Sequence, residues 1–217
     1  MQVITINQQD SVINNYLADI RNVNVQTDQM RFRRNIERIG SLMAYEVSKR
    51  LRYARTDIST PLGTAPVNLP ADKIVVGSIL RAGLPMHNGV LNVFDRAENC
   101  FISAYRKYTS PDTFDIHLEY VATPNLDNKI LLLCDPMLAT GTSLELTYKA
   151  LKRYGTPKHT HIMSVIGSEQ GVNYLCEAMQ GEDVTLWVAA VDPILNSHKY
   201  IVPGLGDAGD LAFGEKI

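Results

Sequence analysis

The sequence predicts an α/β fold, a mostly parallel sheet flanked by helices, and three observations carry that expectation. Short apolar runs of strand length recur at residues 73–80, 99–105, 130–134, 160–167 and 184–191. Stretches with helical periodicity separate most of them, the alternation of a parallel sheet covered by helices. The runs are continuously apolar rather than alternating, as in strands buried on both faces. A chain of 217 residues with 45% hydrophobic content suits one domain with a substantial core.

The elements follow in order. Residues 10–22 carry Ile13, Tyr16, Leu17 and Ile20 at helical spacing. A second helix starts from Thr27 or Asp28 as cap and aligns Ile36, Ile39, Met43 and Val47. With the segment up to residue 55, this pair forms an N-terminal helical part that packs on the domain or on a second subunit. Strand 73–80 leads into a helix over 84–94, with Pro85 in its first turn, where a missing N–H costs little. Strand 130–134 leads into a helix over 143–154. Strand 160–167 leads into a helix over 168–179 capped by Ser168, and strand 184–191 closes the core. Residues 106–127, rich in Thr, Ser, Pro and Asp, read as a long polar loop of the kind that serves as a lid. Residues 192–217 form a terminal lobe, and the whole chain is one domain.

Composition limits function. A net charge of −2 gives no polyanion-binding surface, so nucleic acid is disfavoured as a partner. The basic cluster Arg31, Arg33, Arg34 and Arg38 reads as an exposed helix face, or as the one support for a regulator that binds RNA or a partner protein. Three dispersed cysteines, Cys100, Cys134 and Cys176, show no metal spacing and no disulfide framework. No leader pattern opens the chain and no stretch approaches the ~18 apolar residues of a membrane span. A cytoplasmic location is the expectation.

In such folds ligands bind beyond the carboxyl ends of the strands. Three junctions there stand out: Arg81-Ala82-Gly83, the stretch from Asp135 to Ser143, and Asp192 onward. Ala139-Thr140-Gly141-Thr142-Ser143 opens a helix with small and hydroxyl side chains, so an anion can reach the unpaired N–H groups of the first turn. A carboxylate at Asp135 suits the hydroxyls of a sugar rather than a phosphate. Together they read as a sugar-phosphate site. A triphosphate P-loop is excluded because no Lys follows Gly141. Gly204-Leu205-Gly206-Asp207-Ala208-Gly209 matches G-x-G-x-x-G, but a dinucleotide site needs a βαβ unit. So near the C-terminus, neither a helix nor a second strand is expected to follow. The same segment lacks the ligand spacing of an EF-hand. It reads instead as a backbone-built loop for a flat ligand.

"LRAGLPM" (80–86), "DPMLATGTS" (135–143) and "YIVPGLGDAGD" (200–210), in that order, closely resemble the uracil phosphoribosyltransferase family. The resemblance implies a type I phosphoribosyltransferase fold with a flap at 106–127 and a base-binding hood at 192–217. It implies synthesis of UMP and diphosphate from uracil and 5-phospho-α-D-ribose 1-diphosphate. By it, Asp135, Pro136, Met137, Leu138, Ala139, Thr140, Gly141, Thr142 and Ser143 hold the ribose 5-phosphate end of that substrate. Arg81 and Arg106 hold its diphosphate. Ile201, Gly206, Asp207 and Ala208 receive uracil, Asp207 also facing the diphosphate. Asp207 and Arg106 are the residues expected to act in the reaction. Mg2+ is expected through the diphosphate and water, without direct side-chain ligation. A homodimer or higher oligomer is implied, and GTP activates some relatives. A diverged, non-catalytic binder of UMP or of the diphosphate sugar, and the same chemistry on orotate or hypoxanthine, are the alternatives. Departures from the family pattern are Thr142 and Pro85 in place of glycines, a flap without the acidic pattern, and Leu211 in place of a basic residue.

Overall fold

The structure is a computed structural model. It describes the backbone of residues 1–108 and 114–216, and the side chains of these except 104–119. In chain order the elements are β1 (Gln2–Thr5), α1 (Ile13–Arg21), α2 (Gln29–Ser48), β2 (Tyr53–Thr60), β3 (Gly63–Pro70), β4 (Ile74–Leu80), α3 (Gly83–Leu91), β5 (Glu98–Tyr108), β6 (Phe114–Ala122), β7 (Ile130–Cys134), β8 (Met137–Leu138), α4 (Thr142–Leu151), β9 (His159–Ser168), α5 (Glu169–Ala178), β10 (Val184–Asp192), β11 (Ile194–Leu195), β12 (Ile201–Val202) and α6 (Ala208–Phe213).

The main sheet runs β1-β10-β9-β7-β4-β5-β6, with β8 also pairing β9. All pairs are parallel except β5 with β6. The strands are apolar throughout because both faces are covered. In β7, Leu131 and Leu133 point to one core and Leu132 and Cys134 to the other, the period-2 consequence of the pleat. The first core takes α1, α2 and α3; the second takes α4 and α5. From β4 the chain steps to β5 on one side and reaches β7, β9 and β10 on the other. The crevice between the carboxyl ends of β4 and β7 is therefore the switch point at which α/β folds bind ligands.

Several expectations need correction. The N-terminal part is not only helical: β1 pairs β10 as an edge strand. Residues 53–70 form an antiparallel hairpin, β2–β3, almost every residue of which is exposed. Residues 106–127 are not a loop throughout, because β5 and β6 carry much of that segment as antiparallel strands; the tip expected there lies outside the described residues. Ser103 pairs with Leu80, where β4 ends, and β5 continues five residues further, to Tyr108. At about 3.3 Å per residue the hairpin extends roughly 17 Å past the sheet edge.

The caps match their sequence signals. Asp28 accepts from the Arg31 N–H at 3.0 Å, and Ser168 from the Gly171 N–H at 2.8 Å. Helices α2 and α3 approach so closely that a Cβ on Gly89 would sit 2.0 Å from the Glu37 carbonyl oxygen. An alanine inside a helix ordinarily stabilises by up to about 1 kcal/mol over glycine. Here the backbone clash reverses the sign, and Gly89→Ala should cost about 1–3 kcal/mol, read as a lowered denaturant midpoint. A variant as stable as the parent would refute the close approach.

Candidate active site

Parallel strands deliver their loops to one edge, and the three junctions meet there. After β7, the chain turns at Asp135, whose Oδ1 accepts from the Met137 N–H at 3.2 Å. The carboxyl is mostly enclosed, and burial pushes it up to about 7 against that hydrogen bond, which lowers it. A cavity follows, lined by Asp135, Met137, Leu138, Ala139, Thr140, Gly141, Ser143 and Leu144.

Gly141 is the N-cap of α4 at φ +84°, in the left-handed region where a side chain is strained. No side chain caps the helix; the Thr140 hydroxyl instead donates to the Thr142 hydroxyl at 3.3 Å. The first-turn N–H groups are thus left for a ligand. Thr142, which stands in place of a family glycine, begins α4 without positive φ, and Gly141 carries the left-handed turn.

The loop is supported from below. The Ser168 hydroxyl donates to the Ala139 carbonyl at 2.6 Å while accepting from Gly171. A Cβ on Gly171 would lie 2.2 Å from that carbonyl oxygen, and one on Gly141 would lie 2.9 Å from the Tyr174 ring. Neither Ser168 as a loop support nor Tyr174 was legible beforehand. The cap signal at Ser168 was the only pointer.

Arg81 follows directly on β4 and reaches across the crevice to Asp210 on α6, Nη2 to Oδ1 at 3.0 Å. Among the described residues, its Nε is buried without a partner. Asp207 caps α6, its Oδ1 accepting from Gly209 and Asp210 at 2.8 and 3.0 Å. Gly206 and Asp207 are exposed, while Ile201 and Ala208 are buried. The expectation that no helix follows the glycine run is corrected: α6 does follow, and it fits because six residues suffice for a capped turn and a half. The dinucleotide reading still fails, since the strand before the run, β12, pairs antiparallel with β11 and stands outside the parallel sheet. The structure therefore brings together Arg81, the stretch from Asp135 to Ser143, and the hood. Arg106 lies on β5, but its side chain is outside the described residues.

Other charged features are committed elsewhere. Arg33 donates to the Ala212 carbonyl at 2.6 Å, Arg34 pairs with Glu37 at 2.7 Å and Arg38 donates to Asn35 at 3.0 Å. Arg31 lies near Asp19 and Asp28. The cluster is thus divided among partners within the chain, which removes the regulator's support. A cavity of about 400 Å³ opens at the opposite, amino end of the sheet, lined by Arg52, Asp72, Lys158 and His159 among others. Arg52 and Lys158 both pair with Asp72, and His159 meets Asp183, so much of its charge is already paired.

A mixed, mainly parallel sheet, with a loop of small and hydroxyl residues opening a helix at its switch point, defines a protein of the type I phosphoribosyltransferase fold. A hypoxanthine phosphoribosyltransferase of Staphylococcus aureus shares that fold at 14% identity, with a TM-score of 0.52 over 85% of this chain and 83% of its own. The AQ2163 protein from Aquifex aeolicus superposes over the full length of both chains, with a TM-score of 0.88 and 27% identity. The family model for uracil phosphoribosyltransferase matches residues 7–215. A uracil phosphoribosyltransferase of Porphyromonas gingivalis is 53% identical over all 217 residues and the whole of both chains. The chain belongs to the uracil phosphoribosyltransferase family.

Asp135 supplies a test of the site's electrostatics. Its folded carboxyl holds a proton more tightly than the unfolded chain, with an ordinary value of about 4, so this group lowers stability as pH rises from about 4 to 7. Asp135→Asn removes that loss. The melting temperature of the variant minus that of the parent should increase between pH 4 and 8, corresponding to about 4 kcal/mol at most. A flat difference would show the carboxyl to be ordinary.

Proposed function

We propose that this chain transfers the phosphoribosyl group of 5-phospho-α-D-ribose 1-diphosphate to N1 of uracil, yielding UMP and diphosphate. The observation that carries the reading is a phosphate cradle and a backbone-built hood at one switch-point edge, joined by Arg81. Family membership supports the pair of substrates.

In this reading the N–H groups at the start of α4, with the hydroxyls of Thr140, Thr142 and Ser143, take the 5-phosphate. Asp135, followed by Pro136, Met137 and Leu138, faces the ribose hydroxyls. Arg81, with a donor already lacking a partner, and Arg106 take the diphosphate through charge-assisted hydrogen bonds. Ile201, Gly206 and Ala208 present backbone groups to uracil, and Asp207 lies between base and diphosphate. Fixed donors and acceptors that match uracil reject cytosine, whose amino group would face another donor.

The C1–N1 bond forms as the C1–O bond breaks with its electron pair leaving on the diphosphate oxygen, and the N1 proton passes to the departing diphosphate. The transition state has oxocarbenium character, by analogy with glycoside cleavage. The chain aligns the base, stabilises the departing charge and excludes water. In this reading the β5–β6 hairpin, which rises past the sheet edge, serves as the flap. Mg2+ takes oxygen ligands, and the Asp135 and Asp207 carboxylates suit a hydrated ion on the diphosphate, where it would neutralise leaving-group charge.

We also propose a homodimer built on the β2–β3 arm. Its exposed Ile58, Leu62, Val67 and Leu69 meet no core within the chain, and an isolated hairpin is marginal in water. Among the described residues, no helix is long and apolar enough to cross a membrane. A cytoplasmic setting is part of this reading, and GTP control is left to assay.

Purified protein supplied with uracil, the diphosphate sugar and Mg2+ should release UMP and diphosphate. UMP binding without turnover would establish a non-catalytic binder instead, and preference for orotate or hypoxanthine in competition would reassign the base. Arg106→Ala should raise KM for the diphosphate sugar about tenfold or more, and that for uracil far less. Equal changes would make it a structural arginine. Light scattering should report a dimer that becomes a monomer when residues 56–67 are replaced by a short turn; a parent protein already monomeric would remove the arm's role.

A further inference from the structure

We propose that Arg21 and Asp192 are positioning residues that set the height of the base-binding loop from the far side of the hood. The inference rests on the reading that uracil lies against residues 201–208.

Arg21 is the last residue of α1, a helix held by Ile13, Leu17 and Ile20 in the first core. Its backbone is therefore fixed, and a cation suits a helix C-terminus. Asp192 ends β10 and is 5% exposed. The Arg21 fork donates to both Asp192 oxygens, at 2.7 and 2.8 Å. Both groups also hold Gly204. The Gly204 N–H donates to Asp192 Oδ2 at 2.9 Å, and its carbonyl accepts from Arg21 Nη1 at 3.0 Å. Arg21, from the N-terminal helix, thus closes a ring with two groups from the far end of the chain.

The ring holds a segment with little else to hold it. Among the described residues, no other hydrogen bond ties residues 203–206 to the rest of the chain. Gly204 has φ +56°, and a Cβ there would meet the Ile201 carbonyl at 2.1 Å. The turn is therefore too tight to carry a side chain that could anchor it by packing. Its two ends are Ile201 and Gly206, both assigned to the base. A small displacement of Gly204 would misalign the backbone groups facing uracil and leave the cradle 139–143, on a different junction, in place.

Removing half of a buried charge pair strands the other half, so the expected effect is large. Asp192→Asn should raise KM for uracil about tenfold or more, and KM for the diphosphate sugar by less than about twofold. Arg21→Lys retains the charge without the fork and should show the same split, more weakly. If Asp192→Asn does not melt cooperatively, Arg21→Lys carries the test. A change in kcat alone, which a reduced folded fraction would produce, overturns the proposal. So do proportional changes in both KM values, or no change in either. The parent protein is assayed alongside. If it makes no UMP, the functional reading fails and the proposal with it; if it turns over normally while the variants show no split, the clamp alone fails.

Discussion

A sheet whose strands run parallel and lie buried on both faces leaves only its two ends for chemistry. That constraint organises this molecule. Burial requires apolar strands, and parallel pairing requires crossovers, so the loops with free backbone groups collect at the carboxyl edge. The order β9-β7-β4-β5 adds the crevice, because the chain leaves β4 in one direction and returns to β7 in the other. Cradle, acid and Arg81 stand together because the strands before them are neighbours, although Arg81 and Asp135 are far apart in sequence.

A cradle made of backbone has to be held still, since small side chains cannot pack it into place. The chain uses its next strand-to-helix junction for this. The buried Ser168 hydroxyl fixes the Ala139 carbonyl, and Gly171 lets α5 come close enough to do so. Each device turns the N–H side of the 139–143 loop outward by satisfying or blocking its other side. Asp207 repeats the pattern in the hood: one carboxylate oxygen holds the first turn of α6, which fixes the direction of the remainder of the group.

What the sequence revealed and what it hid divide along physical lines. The core strands and α2, α4 and α5 were legible because burial imposes a periodicity and caps have local chemistry. The β2–β3 hairpin was not, because strands exposed on both faces carry no alternation; only Pro61-Leu62-Gly63 marked the turn. β1 is four residues at an edge, too short for a pattern. The glycine run was correctly refused as a dinucleotide site, yet the helix after it was missed, since six residues make a weak periodic signal. In the site, the motif stretches were readable, whereas the Arg21–Asp192–Gly204 ring was not. Asp192 and Gly204 stood out only as a junction and a glycine run, and nothing local linked them to Arg21, 183 residues before Gly204.

Two arginine–aspartate pairs flank the hood, and exposure decides what each can do. Arg81 and Asp210 retain 35% and 37% of their side-chain exposure, so water already screens them and their mutual stabilisation is about 1 kcal/mol or less. On the proposed function, an incoming diphosphate would replace Asp210 at little cost, because the released carboxylate returns to water. Arg21 and Asp192 retain 24% and 7%. Asp192 has almost no solvent to return to, and the pair is bidentate, so its exchange would strand a buried carboxylate. Identical chemistry thus gives an exchangeable contact on the substrate side of the hood and a fixed one behind it. A base site has to be rigid where it reads hydrogen bonds and yielding where a charged substrate enters, and the burial of these two pairs meets both demands.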